Sequence, residues 1–217
     1  MKVNGTHKMK TPAHIQYHHG DLRSALIRTS AGTLRTQEPR ELSLREIAKV
    51  LGVSTAAPYN HFKDKEDLLN AIADEGFQAL LVRFEKAIVR VRPGRGRITA
   101  IVKAYLRFSR EEPGYYKVMF QSAASREHQE PGGRSFADQA LNVVLGAIHS
   151  TVTGITPQQA RERAIVLCSV VHGLVSLDSA GPFTKLPNPD TLERLAVDAG
   201  LSLVQKITLQ QISNKAK

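Results

Sequence analysis

Apolar residues recur at three- and four-residue intervals along most of this chain, and no stretch alternates apolar and polar positions for long enough to form a strand. This spacing places the apolar side chains on one face of an α-helix. The pattern therefore predicts an all-α fold of about nine helices. We expect them at about 21–37, 43–52, 54–62, 64–91, 97–110, 114–126, 134–153, 157–180 and 189–213.

Capping residues, glycines and prolines mark the expected helix ends. Ser43, with Glu46 three residues later, predicts a capping box, and Gly52 predicts a left-handed C-cap for the same helix. Arg92–Arg97 is the clearest break in the chain, but we expect the boundary between two functional regions earlier, inside the fourth helix. The predicted organisation is a flexible basic arm (1–16), a DNA-binding domain (17–75) and a ligand-binding and dimerisation domain (76–217).

Residues 43–65 have the pattern of a helix-turn-helix. The tight turn between its second and third helices supplies a glycine for positive φ (Gly52), an apolar plug (Val53) and an N-cap (Ser54). Ala48 is small where the two helices would cross, and Phe62 is expected in the core. The pattern alone also fits short helices of bundles that bind no nucleic acid.

A longer run of residues resembles one known family. The segment Leu44–Leu69, LREIAKVLGVSTAAPYNHFKDKEDLL, is similar to the signature of the TetR family of transcriptional repressors almost position for position. Residues 17–23 and 171–174 resemble a subset with a Trp-His-Gly element, although Val171 replaces the Trp here. The resemblance implies a repressor that a small molecule releases from a palindromic operator. It also implies a C-terminal domain that dimerises through its last two helices, about 157–180 and 189–213.

The resemblance also implies which residues contact DNA. The third helix would place its N-terminal turn in the major groove, where small side chains suit close approach and thymine methyl contacts. Arg45 is the candidate for a guanine contact, with a solvated surface charge as the alternative. Four residues match phosphate-binding positions of the family: Ser43, Tyr59, His61 and Lys65. The others expected at the DNA are Ser54, Thr55, Ala56, Ala57 and Pro58.

Aromatic and polar residues of the C-terminal half are candidates for an effector pocket, although each aromatic is also a candidate for ordinary core. The set suggests an apolar or aromatic ligand whose polar group contacts a histidine. A shift of the fourth helix, which spans both domains, would then couple this pocket to DNA. The candidates are Tyr105, Phe108, Tyr116, Met119, Phe120, Phe136, His149, Cys168 and His172.

The formal charge of +10 and a pI near 9.9 favour a polyanionic partner. Much of the positive charge lies outside the helix-turn-helix, since residues 83–110 hold nine basic side chains and one acidic one. This stretch has three interpretations: long-range attraction to DNA, binding of an anionic effector, or a solvated helix face. The arm residues Lys2, Lys8 and Lys10 would either follow the DNA backbone or form a solubilising tail.

Several other classes of protein are disfavoured. No phosphate loop, zinc-protease motif or activated nucleophile is present, so we expect no enzyme, no cofactor and no metal, and His18-His19 lacks chelating geometry. Cys168 lies in an apolar run and is expected to be a buried, inert thiol. No secretion signal or membrane span is seen, which favours the cytoplasm. An architectural or RNA-binding protein that uses residues 83–110 stays as the alternative.

Overall fold

The computed structural model describes residues 22–120, 135–179 and 189–215, with side chains omitted for residue 189 and from 206 onward. Within these ranges the chain forms eight α-helices, two short 3₁₀ helices and no strand, which confirms the all-α prediction. The predicted arm (1–16) and the expected N-caps Asp21 and Asn188 lie outside the described residues. The α-helices are α1 (Leu22–Thr33), α2 (Leu44–Val50), α3 (Lys65–Ile88), α4 (Arg95–Glu111), α5 (Pro113–Met119), α6 (Phe136–His149), α7 (Pro157–Ser179) and α8 (Pro189–Lys215).

The 3₁₀ helices are Pro39–Glu41, before α2, and Ala57–Asn60, where an α-helix over 54–62 was predicted. The second replaces the α-helix because Pro58 has no backbone N–H to donate along the helix. The Ser54 hydroxyl oxygen still accepts a hydrogen bond near its start, from the amide of Ala56 at 3.1 Å. The third helix of the helix-turn-helix is therefore a single tight turn.

The caps of α2 follow the prediction only in part. Gly52 has φ +68°, as a left-handed C-terminal residue requires. Ser43 occupies the N-cap position, but its side chain makes no capping hydrogen bond, so the predicted capping box is wrong. The Glu46 carboxylate instead accepts a hydrogen bond from the Lys49 ammonium at 2.7 Å. The Ser43 hydroxyl is thus not used to close the helix.

The described core divides into two clusters. The N-terminal core joins α1, α2 and the first half of α3, and Phe62 lies in it, 1% exposed, as predicted. The C-terminal core joins the second half of α3 to α4–α8. The short helix α5 belongs to both, because Val118 packs in the N-terminal core and Met119 in the C-terminal one.

Helices α7 and α8 pack against each other and leave apolar side chains on their outer side. The inward face of α7 includes Ala164 and Leu167, whereas Ile165 and Leu177 are each 55% exposed. Leu195 of α8 is also exposed. None of the described helices is long and apolar enough to cross a membrane.

Candidate functional site

The helix-turn-helix presents one exposed face of small and polar side chains. Arg45 of α2 is exposed, as are Thr55 and Ala56 ahead of the 3₁₀ helix. The ring of Tyr59 is 49% exposed, which is high for so large a side chain. These four side chains lie over a rigid base, because Phe62 directly beneath the turn is fully packed.

Pro58 does not share this face. It is buried, so its ring is not free to meet a base edge, and the expectation that it faces the bases is wrong. The reason is the tight 3₁₀ turn, which directs Pro58 inward while Tyr59 points outward. Ala57 is half-buried beside it.

Several donors surround the exposed face. Lys65, at the start of α3, donates from Nζ to the backbone oxygen of Arg40 at 2.8 Å, which holds the ammonium beside the helix N-terminus. His61 is half-buried, and Arg23 lies over the Phe62 ring, 5.3 Å from its centroid. The Asp64 carboxylate caps α3 by accepting from the Asp67 amide at 2.9 Å, as its position predicted. The first turn of α3 carries Lys65 beside the acidic Glu66 and Asp67, so positive and negative side chains both lie at this edge of the unit.

A second group of polar and aromatic side chains lies where α3, α4, α5 and α7 meet. We call Phe77, Tyr105, Tyr116, Phe120 and His172 the aromatic cluster. The hydroxyls of Tyr105 and Tyr116 lie 3.0 and 2.8 Å from Nδ1 of His172, and 3.4 Å from each other. The Phe120 ring lies 4.4 Å from the His172 ring and 5.7 Å from that of Phe77.

Burial sets the protonation states in this cluster. Burial lowers the pKa of His172 and raises the pKa of both Tyr105 and Tyr116. Ser176 adds a hydroxyl, hydrogen-bonded to Tyr116, and stands one turn beyond His172 on α7. Two phenols and an imidazole are therefore held neutral within an apolar surround.

The cluster includes four of the nine predicted pocket residues and excludes others. His149 is exposed at the end of α6, so the expectation that it lines the pocket is wrong. Phe108 is completely buried and packs under the guanidinium of Arg83, 5.4 Å away, as ordinary core. Met119 is buried beside Gly76, and Phe136 is half-buried against the C-terminal core.

Cys168 corrects another expectation. It was predicted to be buried, but it is exposed, because the inward face of α7 carries Ala164, Leu167 and Val171 and Cys168 falls beside that stripe. It stands one turn before His172 on the same face of the helix. Phe77 and Ser176 were not predicted for this site, although the spacing of 168, 172 and 176 along one helix face would have identified Ser176.

Helix α5 connects the aromatic cluster to the helix-turn-helix. Tyr116 and Phe120 point into the cluster, while Gly114 lies so close to α1 that a Cβ there would approach the Ala31 carbonyl oxygen to 1.9 Å. The Tyr115 hydroxyl donates to the Glu75 carboxylate at 2.7 Å. Polar contacts at the same junction join Lys117 to Glu38 at 3.1 Å and Arg35 to the Glu111 carbonyl at 3.1 Å.

Two sequence models of known families match the chain. The one described as "Bacterial regulatory proteins, tetR family" matches residues 26–72, and the one described as "Tetracyclin repressor-like, C-terminal domain" matches residues 98–199. Together they cover more than half of the chain. The chain belongs to the TetR family. It is a DNA-binding transcriptional regulator, and residues 43–65 are its helix-turn-helix.

Individual proteins similar to this TetR-family chain agree with that assignment. A protein of unknown function from Rhodococcus sp. RHA1 is 27% identical and superposes with a TM-score of 0.68. The match covers 88% of this chain and 98% of the Rhodococcus chain. The TetR-family regulator PfmR from Thermus thermophilus shares the fold, with a TM-score of 0.60 at 17% identity over 83% of this chain and 97% of its own. The nucleoid occlusion factor SlmA from Idiomarina loihiensis is 26% identical over 176 residues, 76% of this chain and 87% of that protein.

Some side chains of the basic stretch 83–110 of this TetR-family chain pair within its own domain, although seven of its nine basic side chains are exposed. Arg83 pairs with Glu111 and with Glu112, the latter at 3.2 Å. Lys103 pairs with Glu193 of α8 at 2.8 Å, and other contacts in the stretch engage backbone carbonyls. The turn 89–94 follows the C-terminal end of α3, whereas the helix-turn-helix lies at its N-terminal end. The 24 residues of α3 make it about 36 Å long.

Metal ions are held in proteins by groups of ligand side chains. Across 22–120, 135–179 and 189–215, no three His, Cys, Asp or Glu side chains are grouped as a metal site requires. The polar groups that do converge, two phenols and an imidazole, are suited to hydrogen bonding.

Proposed function

We propose that this regulator is a dimeric repressor that leaves a palindromic operator when a small apolar or aromatic molecule binds the aromatic cluster. The observation that carries the proposal is the position of α5. One side of this helix holds Tyr116 and Phe120 of the cluster, and the other packs on the N-terminal core through Gly114 and Val118. A ligand that displaces α5 therefore acts on the helix-turn-helix directly.

For DNA reading, we assign two roles to the exposed face. Arg45, Thr55 and Ala56, with Ala57 beside them, are assigned to the bases, because the first three are exposed on one face of the unit. We assign phosphate contacts to Ser43, Ser54, Tyr59, His61 and Lys65. Since its target is chromosomal DNA, we place the protein in the cytoplasm.

Dimerisation is proposed through the outer faces of α7 and α8. Ile165, Leu177 and Leu195 form exposed apolar surface there, and such patches mark interfaces. A single helix-turn-helix contacts few base pairs, whereas a two-fold dimer reads two half-sites about 34–36 Å or more apart. The double variant I165E/L177E should shift the protein from dimer to monomer in sedimentation velocity, while V89E, at an exposed valine that follows α3, should not.

Coupling between the two sites is proposed to use α3 as well as α5. The Tyr115–Glu75 hydrogen bond and the Gly76–Met119 contact link the two helices near the middle of α3. A shift of α5 would tilt the N-terminal half of α3 and change the spacing of the two reading units in the dimer. Operator affinity would then fall without any contact between ligand and DNA.

The test begins with selection of bound duplexes from a random pool, using the full-length chain. We expect a two-fold symmetric sequence bound at least about a thousandfold more tightly than random duplex at physiological salt. Arg45→Ala should relax the preference at one base position per half-site, whereas Lys49→Ala, one turn along α2 and paired with Glu46, should not. Equal affinity for all duplexes, or for RNA, would favour the architectural alternative and overturn this proposal.

A second candidate function comes from the similarity to proteins named nucleoid occlusion factors. Such a role requires many binding sites spread over a chromosome, whereas a local repressor occupies a few promoters. Chromatin immunoprecipitation separates the two. One or a few occupied sites, next to genes whose transcripts rise when the regulator is deleted, support the repressor; dozens of dispersed sites without transcript changes support nucleoid occlusion.

A further inference from the structure

The polar centre of the aromatic cluster has an arrangement that restricts what it can bind. Two hydroxyls, from Tyr105 and Tyr116, approach the same nitrogen, Nδ1 of His172. A neutral imidazole nitrogen offers one lone pair or one proton, and cannot serve two hydroxyls equally. The 3.4 Å separation of the two oxygens allows a relay in which Tyr105 donates to Tyr116 and Tyr116 donates to Nδ1.

In a relay of this direction Nδ1 is the acceptor. If Nδ1 accepts from Tyr116, the proton of the neutral ring resides on Nε2, which becomes a hydrogen-bond donor. Both tyrosine hydroxyls reach the ring at Nδ1. The flank of the ring is also accessible, because Phe120, whose ring lies 4.4 Å away, is 47% exposed.

The surroundings of this donor carry no compensating charge among the described contacts. The groups that contact the imidazole are two neutral phenols and the Phe120 ring, and burial lowers the pKa of His172 so that it stays neutral at neutral pH. A carboxylate brought here would lose its hydration without gaining a counter-ion. An ammonium group would face a proton donor and no carboxylate.

We infer that the aromatic cluster recognises an uncharged, largely apolar molecule through a single acceptor oxygen, such as the carbonyl of a ketone, aldehyde or ester. Nε2 of His172 donates to that oxygen, and the rings of Phe77 and Phe120 contact the apolar body. Selection against charge is therefore built into the site. This inference rests on the proposed function, since it assigns a chemical class to the effector.

The test uses matched compounds that differ only in the polar group. The full-length dimer is titrated calorimetrically, without DNA, with 4-phenylbutan-2-one, 4-phenylbutanoate and 4-phenylbutylamine, and with the aliphatic pair 2-decanone and decanoate. We expect at least one ketone to bind about tenfold or more tightly than its charged partners. Tighter or equal binding of a carboxylate or the amine, or no binding by any ketone, would overturn the inference.

Variants then assign the preference to the imidazole. His172→Phe should lower ketone affinity about tenfold while keeping the ring volume, because the donor is lost. His149→Phe, the same change at an exposed histidine of α6, is the matched control and should bind ketone as the wild type does. The double variant Tyr105→Phe/Tyr116→Phe should also weaken ketone binding, since Nδ1 then loses both hydroxyls that can donate to it. Unchanged affinity in His172→Phe contradicts the assignment.

The same titrations separate this inference from the proposed function. If the ketone binds with the expected preference but leaves operator affinity unchanged, the release mechanism fails and the chemical class stands. If the operator is found but no ketone binds, the class fails and DNA reading stands.

Discussion

The helix-turn-helix and the aromatic cluster of this TetR-family regulator are built in opposite ways. The first is continuous in the chain: residues 43–65 contain both its exposed face and the Phe62 side chain beneath it. The second takes Tyr105, Tyr116 and His172 from three helices, and the first and last of these are 67 positions apart in the sequence. The first presents side chains to solvent, whereas the second holds its polar groups against one another.

The difference explains how each site depends on the fold. The DNA-reading face needs only α2, the 3₁₀ turn and the start of α3 to keep its geometry, so local packing controls it. The aromatic cluster exists only while α4, α5 and α7 are docked, so any change at the junction alters it. Since α5 contributes to both cores, damage at the junction should affect both sites, and damage at either site alone should remain local.

The largest expected effect is loss of the N-terminal core. Phe62→Ala should destabilise the protein by about 3–5 kcal/mol, because Phe62 is 1% exposed and its removal leaves a cavity. Phe120→Ala, the control in the cluster, should cost far less because that ring is 47% exposed. Denaturant unfolding measures both. Equal losses in the two variants would mean that the sites share one cooperative unit with no local character.

A smaller loss is expected at the junction. Gly114→Ala places a Cβ in steric clash with the Ala31 carbonyl oxygen, a backbone atom that cannot rotate away. The clash should lower the free energy of unfolding by about 1–3 kcal/mol. It should weaken operator binding although residue 114 lies outside the DNA-reading face. Gly146→Ala, on an exposed position of α6 with no heavy atom near the added Cβ, should instead stabilise the helix slightly. Normal operator affinity in Gly114→Ala would argue against coupling through α5.

The pH dependence of stability should identify the buried imidazole. The pKa of His172 in the folded protein is below its ordinary value near 6.5, so the folded state binds its proton less readily than the unfolded chain. The free energy of unfolding is therefore highest above about pH 6.5 and decreases as the pH falls below it, because the unfolded chain then takes up the proton more readily. Between pH 7.5 and 5.5, the decrease in Tm should be smaller in His172→Gln than in wild type or in the exposed-site control His149→Gln. Parallel curves for all three would contradict burial of the ring.

The smallest effect is expected from the basic turn. The triple variant of Arg92, Arg95 and Arg97 to Gln should leave the salt dependence of operator binding unchanged, because this turn lies about 36 Å along α3 from the reading unit. Lys65→Ala is the comparison variant, and should reduce the slope of log affinity against log salt by about one, because we assign Lys65 to a DNA phosphate. A reduced slope in the triple variant would place these arginines on the DNA backbone.

More of the helix-turn-helix than of the aromatic cluster could be predicted from the sequence, because only the first is continuous in the chain. The helix-turn-helix could be predicted because the turn residue Gly52 and the buried Phe62 act within a few residues of one another. Its error was also local, since Pro58 converts the third helix into a 3₁₀ turn and is itself buried. The cap at Ser43 failed because its partner Glu46 pairs with Lys49 instead.

In the C-terminal half, periodicity predicted the helices but not their rotation. His149 was assigned to the pocket by residue type, yet which face of α6 turns inward depends on packing between distant segments. His172 and Tyr116 were predicted in one candidate group and are in contact, but the convergence of two hydroxyls on a single nitrogen is a tertiary property. The subset similarity at 171–174 stays a prediction.

The sharing of α5 between two cores has a practical consequence for protein engineering. Chimeric sensors are made by joining the DNA-reading part of one regulator to the ligand-binding part of another. A seam placed only within α3 would leave Gly114, Tyr115 and Val118 facing a foreign N-terminal domain. A working chimera should therefore take α1 and α5 from the same protein, or have the contact surfaces of both helices redesigned. The transplanted domain then keeps the contact that transmits ligand binding to the DNA-reading domain.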